Sequence, residues 1–388
     1  MLPSLPCALL AAPVAAAHEK TKILLHPATA VGSSSTSGVF FMASCANVAG
    51  PPSYSYTMLQ HFAETLNDPA YPEMLYVGHV IIDDIFCPEV CDSVILPLGL
   101  SCHGASTLNS TAEYHRVLGM RSDCKECVVA LKWDTLFPLV LASGIADHYH
   151  FIWAFEDDML WNGTDGRWGA LFTKYDRAQP TADIIGEENG VLRCSLKPNQ
   201  GAIVGCWGQG AEYDSSGNVT ARHNRAGNVE VQGLELYHKT LMASRYSARL
   251  WRAVVSSIDA GVWALHENLW PSVCMGSFGD CSIGDFEPDD RGRVLDCCPN
   301  PWQTIEINQN FVLPVLCGNE PSAEWRMGLL HPVKWLRVEE DLKSGVANCN
   351  SGYASPPPSP PPEPAPLQHA QQQSQAASRV AWRWMMYP

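Results

Sequence analysis

Three consecutive carboxylates, Glu156-Asp157-Asp158, directly follow the apolar, aromatic-rich segment Phe151–Phe155. Carboxylates at the end of a buried strand are costly unless a positive group lies beside them. A divalent cation is the natural partner, because Mg²⁺ and Mn²⁺ take oxygen ligands and complete their shells with water and substrate phosphates. The pattern therefore favours group transfer from a phosphorylated donor, with the metal stabilising the leaving diphosphate. The alternative is a solvated turn at the end of a strand.

The residues around this triplet resemble the Asp-X-Asp region of GT-A glycosyltransferases, most closely the glycosyltransferase-like proteins of algae and other protists. The resemblance is carried by Trp153–Met159, Asn162–Gly163 and Trp168–Phe172. Two later segments follow in the order of the family. Trp263–Ser272 resembles the acidic acceptor-side motif at the start of a family helix. Leu329–Lys334 resembles the C-terminal segment whose histidine completes the metal site.

The resemblance implies a role for each matching residue near the donor. Asp158 would be the principal metal ligand and His331 the second protein ligand. Asp157 or Glu156 would hold the donor ribose or a metal-bound water. Lys334 would face the donor diphosphate. The implied cofactor is Mn²⁺ or Mg²⁺, and the implied donor is a nucleotide sugar.

The acceptor-side carboxylate would be Glu267, which serves as catalytic base in inverting members of the family. Such a base must come within about 3 Å of the acceptor hydroxyl whose proton it takes. In a retaining enzyme Glu267 would only position the acceptor. The sequence departs from the family pattern in one respect that concerns the metal. Glu156-X-Asp158 replaces Asp-X-Asp, so the first carboxylate is carried on a longer side chain.

Four further residues are weaker candidates. Lys132 would reach the nucleotide or its phosphates, and the alternative is a lysine on a helix surface. Arg245, His266 and Trp270 would contact the acceptor or a phosphate. For Arg245 the alternative is a solvent-exposed helix residue, since an arginine suits phosphate but is common on helix surfaces. For Trp270 the alternative is a place in the core.

Segments with strand and helix patterns alternate along the chain, which predicts an α/β fold with a mainly parallel sheet flanked by helices. The resemblance refines this to a GT-A-like, Rossmann-like fold, which the cysteines would stabilise through disulfides. Such sheets bind ligands at the carboxyl ends of their strands. The predicted strands are Lys22–Leu25, Gly38–Met42, Met74–Ile82, Tyr149–Phe155 and Ala182–Ile185. The predicted helices are Ser55–Leu66, Cys127–Gly144, Trp168–Tyr175 and Leu241–Ala260.

The charge balance excludes one class of partner. The 388 residues include 25 Lys and Arg against 40 Asp and Glu, for a formal net charge of -15. Nucleic-acid binding needs clustered cations to neutralise phosphates, so no nucleic-acid partner is expected. No apolar run approaches the ~20 residues that cross a bilayer, so no integral membrane span is expected either.

Cysteines and the first residues indicate the secretory route. There are 15 Cys, which suits disulfides in a secreted or lumenal protein. Leu5–Ala17 is short, apolar and rich in alanine, as in a signal peptide. Glycosylation sequons at Asn109, Asn162 and Asn218 agree with that route. The expected location is the Golgi or ER lumen, or the outside of the cell. The expected division is a signal peptide at 1–17, one GT-A-like catalytic domain at 18–349 and a disordered Pro-rich, then Gln/Ala-rich tail at 350–388.

The sequence thus predicts a metal-dependent glycosyltransferase that moves a sugar from a nucleotide-sugar donor to a glycan or glycoprotein acceptor. Two alternatives stay open. One is a non-catalytic, disulfide-rich secreted binding protein on the same scaffold. The other is a metal-dependent hydrolase.

Overall fold

The computed structural model describes the part of the chain from 35 to 353, with gaps. The described residues are 35–45, 48, 54–84, 87–108, 112–119, 132–162, 166–186, 191–193, 211–213, 219–222, 235–239, 241–291, 293–294, 307–322, 325, 328–331 and 333–353. The expected strand Lys22–Leu25, the expected signal peptide and the tail after residue 353 lie outside them.

The described strands and helices alternate over most of the chain. The strands are β1 (Ser35–Ser44), β2 (Met74–Asp83), β3 (Ser101–Gly104), β4 (Phe151–Glu156), β5 (Leu160–Trp161), β6 (Ile184–Gly186), β7 (Leu192–Arg193), β8 (Ala211–Tyr213), β9 (Val219–Arg222), β10 (Tyr237–His238), β11 (Ala243–Ser247), β12 (Ile283–Asp285), β13 (Arg293–Val294), β14 (Leu329–His331), β15 (Ala347–Asn348) and β16 (Gly352–Tyr353). The helices are α1 (Tyr54–Thr65), α2 (Ala105–Leu108), α3 (Ala112–Gly119), α4 (the consecutive segments Lys132–Leu136, Phe137–Val140 and Leu141–Ile145), α5 (Trp168–Ala178), α6 (Ala248–Asp259), α7 (His266–Ser277), α8 (Pro288–Arg291), α9 (Asn308–Val312 and Leu313–Leu316) and α10 (Trp335–Ser344), with helical turns at Cys91–Ile95 and Leu96–Leu98.

A mainly parallel sheet organises the described residues. Its seven strands follow the order β12-β6-β11-β4-β1-β2-β3. β3, β2, β1 and β4 run parallel to one another, as do β6 and β12, whereas β11 is antiparallel to both of its neighbours. The predicted α/β class with a mainly parallel sheet is confirmed.

Helices cover both faces of this sheet. Along β1, Phe40 and Met42 point towards a core cluster that includes α4, α6 and α7. Val39 and Phe41 point to the opposite face and join a cluster that includes α1 and α5. Successive side chains of a strand alternate between faces, so a strand that is buried on both sides reads as one apolar run. This is why β1 and β4 could be recognised in the sequence.

A smaller layer lies beyond the end of β4. β5 follows the acidic triplet and pairs antiparallel with β14, which in turn pairs with β13. Leu160 and Leu330 from this layer pack with Phe311 of α9 and Val338 of α10 in a third core cluster. The layer anchors the C-terminal segment beside the carboxyl end of β4.

The expected helix at Leu241–Ala260 is wrong in its first part. Ala243–Ser247 forms β11, and the helix that follows is Ala248–Asp259. Ser247 caps this helix by accepting a hydrogen bond from the backbone N–H of Leu250 at 3.3 Å. β11 is buried although three of its five residues are serine or arginine, so neither an apolar run nor a two-residue alternation marks it as a strand in the sequence.

Disulfides join segments of the described residues that are 7 to 42 positions apart in the sequence. They are Cys45–Cys87, Cys91–Cys102, Cys274–Cys281 and Cys317–Cys349. The predicted disulfide stabilisation is confirmed by these pairs. In the described part of the chain, no helix combines the length and apolar character that crossing a membrane requires.

Candidate active site

The carboxyl ends of the parallel strands meet at one edge of the sheet. The register places Ser44 of β1 opposite Asp83 of β2, and Met42 of β1 opposite Glu156 of β4. The antiparallel strand β11 begins at the same edge, where the backbone N–H of Glu156 donates to the carbonyl of Met242 at 3.1 Å. In open α/β sheets ligands bind outside the carboxyl ends of the strands. The acidic triplet therefore lies where such a fold places its ligands.

Asp157 is held against the end of β1. Its Oδ2 accepts hydrogen bonds from the backbone N–H of Ser44 at 2.5 Å and from the hydroxyl of Ser44 at 2.6 Å. The two bonds fasten the turn after β4 to the neighbouring strand. Asp157 therefore has a structural partner within the sheet, in addition to the donor-side role that the sequence suggested.

Asp158 is the most buried carboxylate of the triplet, with 7% of the residue exposed. It forms an ion pair through Oδ2 with the ammonium of Lys334. The backbone also joins these segments, since the N–H of Val333 donates to the carbonyl of Asp158 at 2.8 Å. The side chain of Lys334 is 44% exposed as a whole, so a buried carboxylate pairs with a cation carried on a partly exposed side chain.

All three carboxylates act on this lysine. The crowded surroundings of the ammonium oppose its charge, but Asp158, Asp157 and Glu156 together outweigh that effect and raise the pKa of Lys334 above its ordinary value. The positive group that the acidic pattern requires is Lys334 in this structure. We call Glu156, Asp157, Asp158 and Lys334 the acidic edge.

The backbone of His331 lies close to the acidic edge. β14 pairs with β5 so that Leu329 is opposite Trp161 and Leu330 is opposite Leu160. His331 is the next and last residue of β14, and two residues further on the N–H of Val333 donates to the carbonyl of Asp158. The side chain of His331 lies outside the described residues, as does that of Lys132.

Glu267 lies in the first turn of α7 and is 3% exposed. Its backbone carbonyl accepts a hydrogen bond from the N–H of Lys239 at 3.0 Å. Lys239 follows β10, its side chain is 0% exposed, and its ammonium pairs with Asp285 at 2.6 Å. Asp285 ends β12 opposite Gly186, the end of β6. The start of α7 is thereby tied to the carboxyl ends of β6 and β12.

The sequence alone does not indicate the pair Lys239–Asp285. The local signal is a lysine placed directly after His238 and shortly before the apolar residues Leu241 and Met242. Its carboxylate partner is 46 residues further along the chain, and local patterns contain no information on such a pairing.

Two aromatic candidates on α7 are packed inside the protein. His266 stacks on Trp133 with ring centroids 4.4 Å apart and an interplanar angle of 12°. Trp270 is 0% exposed and stacks on Tyr246 with centroids 3.8 Å apart. The expected acceptor contact of Trp270 is wrong because its ring is part of the core. His266, 5% exposed, is packed against Trp133 rather than presented at the surface.

Arg245 is also removed from the candidate ligands. It lies in β11 rather than at the start of a helix, and its side chain is 0% exposed. Its guanidinium pairs with Asp176 at 3.2 Å and donates to the carbonyls of Tyr175, Gln179 and Ala182. The expected phosphate or acceptor contact is wrong, since these acceptors engage the guanidinium inside the fold.

The acidic edge fits a divalent cation through the chemistry of its donors. Carboxylate oxygens are the ligands that Mg²⁺ and Mn²⁺ prefer, and the three carboxylates already favour a cation at Lys334. Among the described residues, the group of three potential ligands whose ligand atoms lie within 4.8 Å of one another is Asp183 with Cys274 and Cys281, and it does not fit a metal. Its cysteines form a disulfide, and Asp183 pairs with Arg249 at 2.5 Å.

Comparisons with known proteins give only distant similarities. No protein-family profile and no curated protein matches the sequence. The mannosyltransferase Ktr4p from S. cerevisiae is 12% identical with a TM-score of 0.37, over 65% of this chain and 68% of that chain. Core-mannan synthase A (CmsA/Ktr4) from Aspergillus fumigatus, in a Mn/GDP form, is 11% identical with a TM-score of 0.34, over 67% and 75%. The 4-diphosphocytidyl-2C-methyl-D-erythritol synthase from Anaerococcus prevotii DSM 20548 is 8% identical with a TM-score of 0.31, over 66% and 89%.

Proposed function

We propose that this protein is a metal-dependent GT-A-type glycosyltransferase that moves a sugar from a nucleotide-sugar donor to a glycan or protein acceptor. One observation carries the proposal. Asp158 pairs with Lys334 at the carboxyl edge of a mainly parallel sheet, and Glu156 and Asp157 act on the same lysine. The strand that ends at His331 pairs with the strand that follows the triplet. The sequence resemblance to GT-A enzymes involves the same residues. Disulfides suit an oxidising compartment, so the proposed location is the secretory lumen or the cell exterior.

The proposed metal ligands are Asp158 and His331. Asp158 suits this role because it is buried and its backbone is fastened to Val333, which fixes the position of the carboxylate. When bound, Mn²⁺ or Mg²⁺ supplies charge that stabilises the leaving diphosphate. Glu156 adds negative charge at the same place. The proposed donor contacts are Glu156, Asp157, Lys132 and Lys334.

Glu267 is the proposed base for an inverting reaction. Its burial at the start of α7 excludes water from the carboxylate, and Lys239 ties this helix start to the carboxyl edge. The base takes the proton of the acceptor hydroxyl, which must come within about 3 Å of it. In a retaining reaction the same residue positions the acceptor.

Thermal-shift titrations of the full chain with UDP, GDP and CMP, each with and without Mn²⁺, test this function. A ligand that binds only the folded state raises the melting temperature by mass action. We expect one nucleotide to give a shift that requires Mn²⁺. Asp158→Asn should weaken that metal-dependent binding by about 100-fold or more, since even residues that only orient metal ligands contribute 10–100-fold. The unliganded variant should melt close to the wild-type protein.

Glu267→Gln is the matched control, because it also neutralises one buried carboxylate at the same edge. It should retain the Mn²⁺-dependent nucleotide shift, since a base for the acceptor is not needed to bind the donor. Wild-type nucleotide binding and metal dependence in Asp158→Asn would contradict the proposed ligand. The absence of a shift with every nucleotide, in a folded sample, would instead favour a non-catalytic binding protein. Metal-dependent hydrolysis of a phosphate or glycosidic bond without an acceptor would favour a hydrolase.

A further inference from the structure

We propose that Lys334 is a resident counter-cation of Asp158 that a divalent metal ion must displace, and that the displaced ammonium then contacts the donor diphosphate. This inference rests on the proposed function, because it concerns the same metal site. It makes Lys334 a residue that sets metal affinity as well as one that binds the donor.

The two partners of this ion pair have unequal surroundings. The side chain of Asp158 is 8% exposed and that of Lys334 is 44% exposed. A buried carboxylate without a cation loses hydration that nothing replaces. The side chain of Lys334 is partly exposed, so its ammonium regains hydration when it leaves the carboxylate. The carboxylate therefore always needs a positive partner, whereas the lysine does not need the carboxylate.

The backbone allows this exchange without a change of fold. Asp158 is held in place because Val333 donates to its carbonyl and the N–H of Met159 donates to Glu156 at 3.2 Å. Lys334 precedes α10 as its N-cap residue, and its side chain makes no capping hydrogen bond to that helix. The four-carbon side chain can thus swing away while both backbone segments stay where they are.

The exchange has consequences of opposite sign for two ligands. Because the ammonium and the metal ion compete for one carboxylate, removing the ammonium should tighten metal binding. Because the free ammonium offers three donors to phosphate oxygens, removing it should weaken binding of the diphosphate. A lysine that only bound the donor would produce the second effect alone, and a lysine that only supported the fold would produce neither.

Mn²⁺ binding to the full chain without nucleotide, followed through the electron paramagnetic resonance signal of free Mn²⁺, tests the competition. We expect Lys334→Met to tighten Mn²⁺ binding about tenfold, because a pair with one exposed partner lies between surface and buried ion pairs in strength. Lys334→Gln, which keeps a polar side chain, should act in the same direction. Lys343→Met removes the same charge from an exposed position near the end of α10 and should leave Mn²⁺ binding unchanged. At saturating Mn²⁺, Lys334→Met should also bind UDP or GDP more weakly than the wild-type protein.

Unchanged or weaker Mn²⁺ binding in both Lys334 variants would overturn the exchange. If Asp158→Asn still abolishes Mn²⁺ binding in that case, the proposed function stands without it. If neither the wild-type protein nor the Lys334 variants bind Mn²⁺, the proposed metal site fails together with the exchange. Nucleotide binding that needs Lys334 but no metal would also overturn the exchange, since the lysine would then be the permanent cation of the site.

Discussion

Two buried aspartates that lie beside the same sheet differ in what their burial achieves. Asp176 of α5 accepts hydrogen bonds from Ser37 at 3.3 Å, Tyr76 at 3.0 Å, Trp153 at 3.2 Å and Arg245 at 3.2 Å. These donors come from β1, β2, β4 and β11, and we call the five residues the buried network. Asp158, in contrast, lies beside further carboxylates and pairs with a lysine whose side chain is partly exposed.

The difference lies in what would have to move for the carboxylate to change partners. For Asp176 to change partners, four strands of the sheet would have to move, so this aspartate has a structural role only. At Asp158 it would be the side chain of Lys334. A carboxylate whose cation can leave is available to a ligand, and the following three experiments test this division between structure and function.

The largest expected effect is on the buried network. Arg245→Met leaves Asp176 without its charged partner and should lower the free energy of unfolding by about 3–5 kcal/mol, as expected when one partner of a buried ion pair is removed. Urea unfolding with the disulfides intact measures this loss. Arg252→Met, which removes an exposed arginine from α6, is the control and should cost less than about 1 kcal/mol. A loss of that small size for Arg245→Met would remove the distinction between the two aspartates.

The sequence predicted the strands of the sheet better than the network that joins them. β1, β2 and β4 are apolar runs whose burial is a local property, and they were recognised. The role of Arg245 was not, because its partner Asp176 is 69 residues earlier in the chain. Whether an arginine faces solvent or an internal carboxylate depends on this long-range pairing, which no local pattern encodes.

An intermediate effect is expected at acid pH from a second group of buried polar side chains. The ring nitrogens of His79 in β2 form hydrogen bonds with the hydroxyl of Tyr149 at 2.6 Å and with Nε2 of His103 at 3.1 Å. The ring also stacks on Phe40. Burial, followed by the neighbouring His103, lowers the pKa of His79 from 6.5 to about 3. Like the buried network, this group should stabilise the fold and take no part in ligand binding.

The sign of the pH effect follows from the lowered pKa. Above pH 6.5 both the folded and the unfolded chain keep His79 neutral, so stability is complete. As the pH falls from 6.5 towards 3, only the unfolded chain takes up the proton, and stability is lost. Between pH 6.5 and pH 5 the loss from His79 is about 2 kcal/mol. Urea unfolding at pH 7 and pH 5 measures it.

Variants separate His79 from other groups that titrate in acid. His79→Phe keeps an aromatic ring against Phe40 but cannot take up a proton, so its stability should change less between pH 7 and pH 5. His150→Phe removes an exposed histidine and should leave the acid loss as it is in the wild-type protein. Equal acid losses in all three proteins would contradict a neutral, buried His79.

The candidate site was predicted in part because its carboxylates are consecutive. A run of three acids after an apolar strand is a local signal, and the resemblance added Lys334 and Glu267. The sequence did not indicate the ion pair between Lys239 and Asp285. It also did not indicate that Asp157 accepts two hydrogen bonds from Ser44, an interaction that we call the Ser44–Asp157 clamp. Both depend on which strands become neighbours, which is decided by the packing of the whole sheet.

The smallest expected effect on stability concerns the Ser44–Asp157 clamp. Ser44→Ala removes one of the two hydrogen bonds to Asp157 and keeps the backbone N–H, so it should cost about 1 kcal/mol of unfolding free energy. Combining it with Asp157→Asn in a double-mutant cycle isolates the coupling between the two side chains, which should be of similar size. Ser44→Thr keeps the hydroxyl and serves as control.

Mn²⁺ binding separates the roles of the two aspartates. Because Asp157 is hydrogen-bonded to β1 whereas Asp158 faces an exchangeable cation, Ser44→Ala should change Mn²⁺ affinity far less than Asp158→Asn does. Equal losses of Mn²⁺ binding in the two variants would show that clamp and ligand are one unit, and would end the separation of structural from functional carboxylates at this edge.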